Sequence, residues 1–169
     1  MRQIAILSAA TLLSGCSSDT LTSPRSDAPT LEAVRASSLP AARPWRGKCS
    51  VDAQFVSATT LHITGSCELA HLGRATLVAI QTITPGPAGI AFENTSTYTA
   101  SNGDELHTIN SGTALPTADG LSLNGVETAV GGTGRFTTVS GTAALVGAVS
   151  FTSASTTAGF YGVEGSLSY

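Results

Sequence analysis

Arg74-Ala-Thr-Leu-Val-Ala-Ile-Gln-Thr-Ile-Thr84, closed by Pro85-Gly86-Pro87, is the stretch on which the fold turns. Ala75, Leu77, Ala79, Gln81 and Ile83 fall on one face of an extended chain, and Thr76, Val78, Ile80 and Thr82 on the other. A period of two belongs to a strand, and Val, Ile and Thr pack well on a pleated surface. Downstream, Ile90, Phe92, Asn94, Ser96 and Tyr98 alternate with Glu93, Thr95, Thr97 and Thr99. Ser101-Asn102-Gly103-Asp104 then predicts a hairpin, with positive φ at both Asn102 and Gly103. Further strands are expected over 48–55, 59–67, 105–114, 121–130, 136–145, 148–153 and 160–169. Eight or nine short strands at regular spacing predict an all-β sandwich or barrel. A barrel also removes the sheet edges that invite aggregation.

Outside this region the composition changes sharply. Every aromatic residue, and every glycine except Gly15, lies within 45–169. Residues 16–44 are rich in Ser and Pro and have little with which to build a core, so they read as a tether. Such a tether has a typical span of roughly 30 Å. The remaining stretch, 45–169, is the size of one domain. Its cations are Arg46, Lys48, Arg74 and Arg135, against eight carboxylates. A mildly acidic domain without a basic stripe excludes nucleic acid as a partner.

The first sixteen residues read as an export signal. Arg2 gives a positive head, and 4–13 is an uncharged apolar run. It is shorter than the ~20 residues that a membrane-spanning helix needs, and it fits the centre of a signal peptide, 1–15. Leu13-Ser14-Gly15-Cys16 resembles the bacterial lipobox. The resemblance implies cleavage after Gly15, a diacylglyceryl thioether on Cys16 and an acylated new amino terminus. It makes the membrane a partner through lipid, because two or more acyl chains anchor stably. Ser17 after the cysteine resembles the default sorting to the outer membrane. Cys49 and Cys67 then remain as an even pair in an oxidising compartment, in runs that suit neighbouring antiparallel strands. A disulfide is expected between them, with a stabilisation of about 3 kcal/mol.

Gly131-Gly132-Thr133-Gly134-Arg135-Phe136, followed by Val139-Ser140-Gly141, resembles the glycine turn of plant dirigent proteins and allene oxide cyclases. It also resembles a group of small bacterial secreted proteins with the same barrel. Gly65-Ser66-Cys67-Glu68-Leu69-Ala70-His71-Leu72-Gly73-Arg74 and Ala100-Ser101-Asn102-Gly103-Asp104-Glu105-Leu106 extend the bacterial resemblance, so that it spans 65–141. The implied fold is a single eight-stranded antiparallel β-barrel. The glycines permit a tight turn, after which Phe136 is expected to restart a strand with its ring in the core. Neither a Lys-Ser/Thr pair nor a helix follows the glycines, which argues against a phosphate loop.

Few residues offer chemistry. There is no Gly-x-Ser-x-Gly elbow. His62, His71 and His107 have no metal-ligand spacing, so neither a metal nor a cofactor is expected. His71 and Arg74 flank Leu72-Gly73 and are candidates to line a barrel mouth; a turn held in register by Gly73 is the alternative. Glu93 and Glu127 are lone carboxylates within strands. A place on the outer, wet face is the first expectation for both; pointing inward, either would have a raised pKa suited to proton transfer. Glu127 shares parity with Leu121, Leu123 and Ala129, which makes it the better candidate. The resembled families use acidic groups on a reactive small molecule, but the resemblance aligns neither glutamate with a catalytic position.

The leading expectation is therefore a lipid-anchored envelope barrel that binds a small apolar ligand or serves only as an envelope module. A cyclase-like or dirigent-like enzyme using Glu127 is the second reading, and a structural or adhesive surface protein the third. The stretch 160–169 also resembles the last strand of an outer-membrane barrel. The Thr and Ser on the second face of most strands leave too few apolar positions for a lipid-facing band. No oligomeric state follows from the sequence.

Overall fold

A computed structural model describes residues 41–169. The signal 1–15, Cys16 and the tether up to residue 40 lie outside the described residues. Eight strands form one closed antiparallel barrel in sequence order: β1 (Arg43–Phe55), β2 (Thr60–Leu69), β3 (Gly73–Gly86), β4 (Gly89–Ala100), β5 (Glu105–Thr117), β6 (Gly120–Gly132), β7 (Ser140–Phe151) and β8 (Thr156–Ser168). The barrel closes where β1 pairs with β8. The expected eight-stranded β-barrel is thus the observed fold.

The alternations read from the sequence become inside and outside. Ala75, Leu77 and Ala79 are buried, whereas Val78 and Ile80 are half exposed on the outer wall. Cys49, Val51 and Ala53 likewise face the core from β1. Cys49 and Cys67 are direct cross-strand partners, joined by the disulfide, with Cα atoms 4.0 Å apart. The outer wall mixes Val and Ile with exposed Asp52, Glu68, Glu93 and Glu164. That mixture does not make the continuous apolar band of a lipid-facing barrel.

Several boundaries differ from expectation. β1 begins at Arg43, two residues inside the stretch read as tether. There Arg43 and Pro44 pair with β8 alone, since pairing with β2 starts at Gly47. A proline lacking its N–H is tolerated where one flank has no partner strand. The segments expected at 136–145 and 148–153 are one strand, β7, because Gly147 continues the ladder opposite Tyr161. Phe136 does not restart a strand: it ends the 3-10 turn Gly134–Phe136, although its ring is fully buried. The Asn-Gly hairpin also takes another form. Gly103 N–H donates to the Ala100 carbonyl at 2.9 Å and only Gly103 has positive φ, at 86°. Ser101 and Asn102 are therefore the central turn residues, and Gly103 follows as a left-handed bulge residue, the usual three-residue loop.

The hairpin and the glycine turn meet. Gly134 lies so close to the Asp104 carboxylate that a Cβ would collide with it, and its φ is 56°. Arg135 Nε approaches Asp104 Oδ2 at 3.3 Å, and Thr133 N–H donates to the Glu105 carbonyl at 2.9 Å. Together these contacts hold Phe136 over the barrel end, where its ring packs edge-on against Tyr169. Trp45, Leu106 and Leu167 are fully buried and fill the same end. One half of the bore is therefore a packed plug; the other half is left partly unfilled.

Candidate functional site

The open half holds a cavity of about 100 Å³. It opens toward the turns β1–β2, β3–β4, β5–β6 and β7–β8. Its walls are mostly Leu, Ile, Val and Ala, with Phe55 and Phe151 nearest the mouth. Phe92 shapes one side. Gly112 and Gly125 are neighbours on β5 and β6, and a Cβ on either would come within 3.2 Å of the Phe92 ring tip. The ring covers wall that has no side chains of its own.

Polar residues are concentrated in one register row across four strands. Gln81 faces Asn94, Asn94 faces Asn110, and Asn110 faces Glu127. Strands in a barrel tilt against its axis, so a row across them runs obliquely along the bore. Gln81, Asn94 and Asn110 line the cavity, while Glu127 lies fully buried beyond it. Asn94 Nδ2 donates to Gln81 Oε1 at 3.3 Å, and Ser96 Oγ donates to Asn94 Oδ1 at 2.9 Å. Asn110 is best satisfied turned, with Nδ2 donating to Glu127 Oε1 at 3.2 Å; its oxygen then faces the Asn94 amide at 2.8 Å, so Asn94 must turn with it to donate there, and its contacts with Gln81 and Ser96 reverse direction.

Glu127 ends this ladder and begins a second chain. Its Oε1 accepts from Tyr98 Oη at 2.6 Å and from Thr108 Oγ1 at 2.8 Å. Tyr98 Oη is also 2.6 Å from Tyr161 Oη, and Tyr161 lines the cavity. Tyr161 stands on β8 and Tyr98 on β4, so their rings span the bore between the cavity and the plug. Glu127 Oε2 is buried without a partner. Burial pushes the Glu127 carboxyl above its ordinary value, against the opposing pull of the donors Tyr98, Thr108 and Asn110. Burial likewise raises both phenols, with the neighbouring carboxylate adding to the shift, so they stay neutral.

Donor counting then sets the direction of the chain. Tyr98 has one proton and gives it to Glu127. The proton between the two phenols is therefore that of Tyr161. In this state the Tyr161 oxygen has only lone pairs left to offer.

The other candidates lie elsewhere. Glu93 is exposed on the outer wall opposite Thr82 and Ser111, because the inward positions of β4 are Phe92 and Asn94. It cannot act inside the barrel. His71 and Arg74 belong to the β2–β3 turn region at the plugged end, away from the cavity. His71 has φ 70°, with its ring 6.3 Å from that of Tyr169. Arg74 is exposed opposite Glu68. Tyr98, Tyr161, Asn94 and Asn110 were not among the candidates, although the inward parity of Asn94 and Tyr98 with Ile90 and Phe92 was a readable signal. Set against known families, curated proteins and solved structures, the chain matches no family model, no curated protein and no solved structure.

Proposed function

We propose that the protein is a lipid-anchored envelope barrel that binds a small apolar molecule in its open half. The observation that carries this reading is the apolar cavity of about 100 Å³ above a packed plug. A dry apolar cavity of roughly 150 Å³ takes up benzene. The enclosed space here therefore suits a small ring or branched alkyl group, with the rest of a larger molecule in the mouth. The lipobox-like Leu13-Ser14-Gly15-Cys16 supports the anchor and the envelope location.

Ala114 is buried and lines the cavity, so Ala114→Phe fills it from the wall. Protein purified from native membranes is expected to release a lipophile into organic solvent, and the variant at least tenfold less. Equal amounts from both, or none from either, would remove the reading. Export by a cleavable signal that lacks the lipobox, leaving Ser17 as the new amino terminus, is expected to release the chain from the membrane fraction.

A second reading, a cyclase-like or dirigent-like enzyme, is favoured by the Glu127–Tyr98–Tyr161 chain. If Glu127 carries its proton on Oε1 and gives it to Tyr98, Tyr98 can pass its own proton to Tyr161. Tyr161 can then donate its original proton into the cavity. The carboxylate left behind is the base for the return step. Unchanged turnover by Glu127→Gln on candidate substrates would remove this reading.

A further inference from the structure

We infer that the cavity selects uncharged molecules that carry hydroxyl or carbonyl groups along one edge of an apolar body. The inference rests on the ligand-binding reading above and names the class of ligand.

Three observations carry it. First, none of the described side chains lining the cavity belongs to Asp, Glu, Lys, Arg or His. An ion entering this space would lose its water and find no opposite charge, a cost of many kcal/mol that paired burial alone offsets. Glu127 does not change this, because it lies beyond the cavity and its Oε1 already receives donors from Tyr98, Thr108 and Asn110.

Second, the polar lining is one-sided. Gln81, Asn94, Ser96 and Asn110 stand on the adjacent strands β3, β4 and β5. The hydroxyl of Tyr161 reaches across from β8 to the same side, where it meets Tyr98 on β4. The walls from β6, β7, β1 and β2 supply Leu123, Leu145, Val51 and Ile63. Thr157 is the one polar lining residue away from this edge. A molecule that fits has one wet edge and one dry face.

Third, the edge has capacity to spare. An amide has two donors and two acceptor lone pairs, and the contacts within the ladder use only part of that set. The Tyr161 oxygen adds an acceptor at the floor, since its proton is committed to Tyr98. A ligand hydroxyl can donate there, and a ligand carbonyl can accept from an amide. A purely apolar ligand would cover these groups without replacing the water they lose, which is the basis on which polar sites reject analogues lacking a hydroxyl.

The test compares three probes with one apolar body: 4-butylphenol, butylbenzene and 4-butylbenzoate. They are titrated calorimetrically at pH 7 into the mature chain from Ser17 onward, exported by a cleavable signal without the lipobox, which carries no lipid and needs no detergent. The phenol is expected to bind at least fivefold tighter than butylbenzene and at least tenfold tighter than the benzoate. Asn94→Leu is expected to reduce the preference for the phenol over butylbenzene to less than twofold. Butylbenzene or the benzoate binding as tightly as the phenol would overturn the inference and leave the apolar cavity standing as a binding site. Binding by none of the three would overturn both. If Asn94→Leu does not fold, the ranking by the parent protein decides.

Discussion

Glu127→Gln is expected to flatten the pH dependence of the barrel's stability above pH 4.5, the ordinary value for a glutamate. The folded-state pKa of Glu127 is raised, chiefly by burial. Between the ordinary and the raised value the folded chain holds a proton that the unfolded chain has released. Stability from this group is therefore fully present below the ordinary value and is lost as pH rises through the folded one. The slope reaches about 1.4 kcal/mol per pH unit while a whole proton separates the two states. Glutamine keeps an oxygen to accept from Tyr98 and Thr108, and it places an amide where the protonated acid has its hydroxyl. It mimics the protonated form and cannot titrate. Urea unfolding from pH 4 to pH 8 reads the difference between parent and variant, which cancels the other carboxylates. Profiles that run parallel would show that Glu127 ionises as readily in the barrel as in the unfolded chain.

Replacing Cys49 and Cys67 together by alanine is expected to lower stability by about 3 kcal/mol, the loop-closure value for their separation. For a domain of this size that corresponds to a fall in Tm of about 10 °C. Both residues are buried, at 2% and 1% exposure. Alanine is the useful replacement because serine would bury two hydroxyls. The bond ties β1 to β2 directly across the register, so it restrains the denatured chain while the native ladder already holds the two strands together. Thermal unfolding of the double variant measures the effect. An unchanged Tm would mean that the crosslink restrains nothing the unfolded chain would otherwise explore.

The fold was legible because the barrel wall obeys the simplest periodicity in proteins. On 75–83, alternation separated inside from outside without error; the outer, wet face was the first expectation for both lone glutamates, and parity with Leu123 and Ala129 only marked Glu127 as the better of the two to point inward, where the structure places it. Parity failed where the backbone leaves the ladder. Phe136 is buried from a 3-10 turn, and Gly103 takes a bulge position that an Asn-Gly pair alone does not specify. The site was harder to see. Gln81, Asn94, Asn110 and Glu127 are far apart in sequence and join only through the pairing register of four strands. No local pattern encodes that register. A polar residue on a core face was the available clue, as with Asn94 beside Phe92. His71 and Arg74 look like a site in one dimension, but the turn that carries them lies at the plugged end.

The seam between β1 and β8 joins the first and last strands of the domain. Every other strand pair can form between neighbours, but this one must wait for β8. A ribosome that still holds β8 also holds the barrel open. Until release, β1 and β7 each present a bare edge of backbone donors and acceptors, the template on which chains aggregate. A nonsense change within 156–168 would therefore do more than shorten the protein by one strand. It would fix the chain in its most adhesive form, with two edges and an uncovered apolar interior. Quality control in the compartment where folding occurs would meet this molecule first as an open sheet.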